Sequence, residues 1–248
     1  MQKTILFLFL ALSISGFAQQ GTTKKDGGLF NKANTILKKA SAGGGSALSN
    51  DEIIAGLKEA LSVGANNSSQ KLAAVDGFFA NAAIKVLMPE EAKKVESTLR
   101  KAGMGSMVDK AILSMNRAAE EASKSAAPIF LDAIKGMSFQ DALSILKGSD
   151  TAATGYLRGK TSSALTTAFK PVIDAALEKT NATKYWKDVF ETYNKLPTTF
   201  KKVNTDLSGH VTDKALGGLF YQVALEEQKI RKDPAARVTD VLKKVFAN

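Results

Sequence analysis

From Ser49 to Phe246 apolar residues return every three or four positions, and no alternating run of apolar and polar residues is long enough to argue for a sheet. The spacing predicts helix after helix. Ser49-Asn50-Asp51-Glu52 has the capping-box arrangement, in which the serine takes a free amide of the first turn and the glutamate reaches back to the cap. Ser138-Phe139-Gln140-Asp141 repeats it with the shorter aspartate, a weaker cap. Pro89-Glu90-Glu91 places proline at the first helical position and acid in the first turn, with Gly103 closing that helix. Val211, Ala215, Leu216, Leu219, Phe220 and Val223 form a stripe predicted to be buried. Asp233-Pro234 starts a last helix whose Val238, Val241, Leu242 and Val245 face inward while Lys243 and Lys244 face out. The expected fold is all-α: a single compact domain of about eight to ten helices over residues 48–248.

The N-terminal residues follow a different pattern. Lys3, the apolar run from Ile5 to Leu12, and the small residues Gly16 and Ala18 predict a signal peptide over residues 1–18, with the mature chain starting at Gln19. The run is too short for the roughly 20 residues of a membrane-spanning helix. Residues 19–47 form a flexible basic segment, Gly-rich at both ends, around a short amphipathic helix from Leu29 to Ala40. Docking on the main domain and docking on a membrane both fit that helix. The expected location is periplasmic or secreted.

The two halves of the domain echo one another. Ser49, Glu52, Ile54, Leu57 and Lys58 recur as Ser138, Asp141, Leu143, Leu146 and Lys147. Asp109-Lys110-Ala111-Ile112 matches Asp213-Lys214-Ala215-Leu216, and each is followed by a glutamate pair, Glu120-Glu121 and Glu226-Glu227. Asp132 to Lys135 likewise matches Asp240 to Lys243. Internal duplication and compositional coincidence both remain readings of this pattern. Duplication would make Thr180 to Lys202 an insertion, with Trp186, Phe190, Tyr193 and Phe200 lining a cleft near the junction of the halves.

Candidate chemistry is sparse. Thr154-Gly155-Tyr156-Leu157-Arg158-Gly159-Lys160-Thr161 ends like a phosphate-binding loop, but it lacks the first glycine and the preceding strand. His210 is the single histidine and cysteine is absent, which excludes histidine-pair metal sites and structural zinc; no metal or cofactor is expected. His210 is expected to face solvent or cap a helix. Ser68 with Lys71, and Ser144 with Lys147, have the spacing of a Ser-Lys pair on one helical face. Adjacent glutamates point about 100° apart and do not converge on a substrate.

More suggestive are charges within apolar segments. Arg117 follows Asn116 and has Glu121 one turn on, Arg231 follows Glu227 by one turn, Arg158 lies beside Tyr156, and Arg237 falls in the last helix. The default reading is structural ion pairs; a ligand site, if present, would use Arg117, Arg158, Arg231, Arg237, Tyr156 and Asn116.

The formal charge of +10, or +9 once Lys3 leaves with the leader, admits an anionic polymer or lipid partner. Yet 29 of the 34 basic residues are lysine and they are interleaved with acids, which argues against specific nucleic-acid recognition. No set of nucleophile, base and oxyanion donors is assembled. The expected function is therefore a non-enzymatic binding or interaction module of the envelope, whose partner is an envelope protein, a lipid or an anionic polymer. The alternatives are a hydrolase assembled from dispersed Ser, Lys and carboxylate residues and a binder of lipid or another apolar ligand.

Four strings carry a resemblance: Leu48-Ser49-Asn50-Asp51-Glu52-Ile53-Ile54-Ala55-Gly56-Leu57-Lys58-Glu59-Ala60-Leu61, Ser114-Met115-Asn116-Arg117-Ala118-Ala119-Glu120, Asp150-Thr151-Ala152-Ala153-Thr154-Gly155-Tyr156-Leu157-Arg158, and Ile230-Arg231-Lys232-Asp233-Pro234-Ala235-Ala236-Arg237. They resemble a family of exported bacterial proteins, the domain of unknown function numbered 4197. The resemblance covers Leu48 to Phe246 and implies a Gram-negative envelope setting and one helical domain. It brings no activity, cofactor or catalytic residue.

Overall fold

The computed structural model describes residues 49–179, 181–195, 206–233 and 243. The predicted signal peptide, the amphipathic segment from Leu29 to Ala40, Phe200, Arg237 and the last predicted helix apart from Lys243 lie outside them. Among the described residues there is helix and no strand, as the periodicity requires. The helices are α1 (Asn50–Ala73), α2 (Lys93–Lys101), α3 (Gly105–Ser123), α4 (Ala126–Lys135), α5 (Phe139–Lys147), α6 (Ala152–Lys179), α7 (Ala182–Asn194) and α8 (Leu207–Lys232). A 3₁₀ turn, Glu90–Ala92, leads into α2.

Both serine caps form. The Ser49 hydroxyl accepts from the Glu52 amide while the Glu52 carboxylate accepts from the Ser49 amide at 2.8 Å. Ser138 and Asp141 make the same reciprocal pair, so the shorter acid suffices for a complete box. Gly103 ends α2 at φ +79°, a conformation that costs glycine nothing. Pro89 is the cap of the 3₁₀ turn rather than the first residue of an α-helix.

One apolar core joins these helices. Leu165, Phe169 and Ile173 of α6, Val211, Ala215, Leu219, Phe220 and Val223 of α8, and Val108, Met115, Ala118 and Ala119 of α3 are all buried, and α6 packs most extensively on α8 and α3. The α8 stripe is thus the predicted one, with Leu216 only partly buried. Phe130 meets Phe220 edge to face at 5.8 Å. Trp186, Phe190 and Tyr193 of α7 join this core, with Trp186 and Phe190 at 4.7 Å. That corrects the expectation that they line a cleft: their apolar area is satisfied by packing.

Residues 74–89 form no α-helix. Turns through Asp76 and Gly77 reverse the chain after α1, and residues 85–89 then run without regular secondary structure to the 3₁₀ turn. Val86 and Met88 are buried while Leu87 between them is 52% exposed, so this short segment presents opposite faces to core and solvent.

Candidate functional site

The embedded charges hold the fold together. The Glu120 side chain is only 5% exposed; it accepts from the Phe78 and Phe79 amides at 3.1 and 3.2 Å and pairs with Arg117 at 2.6 Å. Arg117 also reaches Asp76, whose φ of 67° marks the turn after α1. Its guanidinium is held above its ordinary pKa chiefly by the hydrogen bond to Glu120, with burial opposing and Asp76 assisting. The partner of Arg117 is thus Glu120 and not the expected Glu121. Glu121 points outward and pairs with Lys124.

Glu227 does the same work in the second half. Its carboxylate accepts from the Ala153 and Thr154 amides at 2.9 and 2.8 Å and from the Thr154 hydroxyl at 2.8 Å, closing the N-terminus of α6. Arg231 donates to Glu227 and to the Ile145 carbonyl. In each half, one member of an adjacent glutamate pair is buried and ties a helix to a distant turn or helix start.

The remaining candidates also disperse. Asn116 is buried, exchanging hydrogen bonds with both backbone groups of Val86 at 2.8 Å and donating to Ile112. It pins residues 85–89 as a neighbouring strand would. Arg158 lies over the Phe220 ring at 4.5 Å. Tyr156 is half-buried, and burial first, then the Asp141 charge, raises its phenol. Arg117 and Arg231 are held in separate ion pairs, and Arg237 lies outside the described residues. The phosphate-loop look-alike lies within α6, with Thr154 bonded to Glu227. Ser68 and Ser144 donate to their own helix carbonyls, Gly64 and Gln140, which leaves neither hydroxyl aligned for a lysine base.

An open groove of about 700 Å³ lies between residues 83–93 and the first half of α8, within the range of small-molecule sites. His210, Lys214, Gly217 and Tyr221 fall on one stripe of α8 and form one wall with Asp213. Ile84, Lys85, Leu87, Met88, Pro89, Glu90 and Lys93 supply the other. His210 donates from Nε2 to the Leu87 carbonyl at 2.9 Å, fixing the ring rather than leaving it in solvent. A methyl group at Gly218 would come within 2.5 Å of the Phe78 ring and 3.3 Å of Ile84, whereas one at Gly217 would meet nothing within 4 Å. Glycine at 218 lets Phe78 pack; at 217 it leaves the groove open. Tyr221 and Leu87 remain 42% and 52% exposed along its sides.

The sequence offered one usable signal for this groove, two adjacent glycines inside a strong helical stripe. The wall at residues 84–89 had none, because it depends on the long-range bonds of Asn116. Among the described residues, no group of three His, Cys, Asp or Glu side chains could hold a metal ion, and no helix is long and apolar enough to cross a membrane.

The fold and groove define an all-α protein with a small-ligand-sized surface cleft and structurally committed internal charges. The chain belongs to the family described as Protein of unknown function (DUF4197), matched over residues 47–247. No curated protein and no solved structure matches it.

Proposed function

We propose that this protein is an exported, non-enzymatic binding module whose ligand occupies the groove between residues 83–93 and α8. The observation that carries the reading is the contrast between this open, mixed-polarity groove and Ser68, Ser144, Glu120 and Glu227, whose polar groups are consumed in the fold. The hydrolase alternative needs a nucleophile and base in one cleft. His210 is the groove's imidazole, and the lining includes no serine, threonine or cysteine beside it. Purified mature protein offered esters, peptides, phosphoesters and glycans should show no turnover. Turnover abolished by His210→Ala would contradict the proposal. Export rests on the predicted leader, and its test is recovery of a chain beginning at Gln19 in the soluble periplasmic or culture fraction.

A further inference from the structure

The grip of Asn116 on Val86 fixes where the neighbouring backbone groups point. The Val86 N–H donates to Asn116 Oδ1 and the Val86 carbonyl accepts from Nδ2, both at 2.8 Å. In a planar trans peptide the carbonyl and the N–H that follows it point in opposite directions, and no peptide bond among the described residues is cis. The Lys85 carbonyl and the Leu87 N–H are therefore turned away from Asn116 and α3. They lie on the edge of the segment where the Leu87 carbonyl meets His210 of α8. Lys85 and Leu87 accordingly line the groove, and Val86 between them does not. Burial of Val86 and Met88 with exposure of Leu87 is the alternation of an extended strand.

The Lys85 carbonyl and the Leu87 N–H make no hydrogen bond among the described residues, whereas the Lys85 N–H is held by the Asn81 carbonyl at 2.8 Å. One open acceptor and one open donor thus flank a single residue. A parallel strand uses that arrangement: one of its residues donates to the first group and accepts from the second. An antiparallel strand would instead need both groups of Leu87, and His210 already holds the carbonyl. Helix α8 cannot complete the pairing, because its own backbone groups are bonded within the helix. The edge is a template for a strand that the described residues do not supply. Paired residues of neighbouring strands carry their side chains on one face, so the added side chain follows Val86 inward. Ile84 and Met88 line the groove on that side, and Gly217 leaves open space in the facing wall.

Resting on the groove reading, we propose that the occupant is a short extended peptide, added parallel to residues 85–87 through the Lys85 carbonyl and the Leu87 N–H, with an aliphatic side chain directed into the groove. Titration of the 15N-labelled protein with acetyl-Thr-Leu-Thr-N-methylamide, followed by NMR, tests it against the analogue in which an ester oxygen replaces the leucine N–H. The peptide should move the Leu87 amide proton downfield and slow its exchange, while the Val86 amide, already held by Asn116, stays in place. The ester, which cannot donate to Lys85, should bind roughly tenfold more weakly. Leu87→Pro removes the donor and should lose binding at an unchanged melting temperature, whereas Leu87→Ala keeps the donor and should retain it. Gly217→Trp, which fills the groove, should abolish binding. Equal binding of peptide and ester, lost in Gly217→Trp, would overturn the strand pairing and keep the groove reading. Binding that persists in Gly217→Trp, at an unchanged melting temperature, would overturn both, and absence of a saturable shift with the peptide would overturn the proposal.

Discussion

Glu120 and Glu227 stand next to glutamates of the same charge and helix propensity, yet the members of each pair have different roles. Glu227→Ala would leave Arg231 without its carboxylate and two amides of α6 without an acceptor, at a cost of about 3–5 kcal/mol. Glu121→Ala should cost less than about 0.5 kcal/mol, since its bond to Lys124 is a surface pair. Chemical denaturation of the two variants checks the contrast, and equal losses would contradict it. Asp141 gives a second residue-scale outcome. The Ser138 hydroxyl, and after it the Ser138 amide, hold its pKa below the ordinary value. A lowered carboxylate contributes stability above its unfolded pKa near 3.9, and that contribution is lost as pH falls through the folded value. The advantage of wild type over Asp141→Asn should therefore be present at neutral pH and vanish in strong acid.

At the scale of elements, the adjacent glycines of α8 make opposed predictions. Gly218→Ala should destabilise by about 1–3 kcal/mol because the Phe78 ring and Ile84 must shift. Gly217→Ala meets open space and should stabilise by about 0.5–1 kcal/mol by restricting the unfolded chain. Thermal melts of the two variants should move in opposite directions. Helix caps and buried stripes were legible in the sequence because they depend on residues three or four apart: Ser49 with Glu52, Ser138 with Asp141, Val211 with Ala215. The continuity of α6 was harder to read. Pro171 lies inside it and removes a backbone donor, yet Leu165, Phe169, Ile173 and Leu177 bury one stripe across the proline. Tertiary packing there outweighs the local stop signal.

For the whole molecule, the sequence could not say which partners the embedded charges would find. Arg117 and Arg231 interrupt apolar runs and read by default as structural ion pairs, but their partners include groups as distant in sequence as Asp76 and the Ile145 carbonyl, which no local spacing names. The groove is not legible in the sequence for the complementary reason, since Leu87 and Tyr221 come to line one groove only through the placement of residues 84–89 by Asn116 and His210. That placement predicts that Asn116→Ala will speed amide exchange at Val86 and weaken ligand binding together. The central claim, that the groove is an occupied binding site, is tested most directly by native mass spectrometry of wild type and Gly217→Trp purified without detergent from the cells that make them. A bound small molecule should accompany wild type and be absent from the folded variant. The same adduct on both proteins, or none on wild type, would contradict the account.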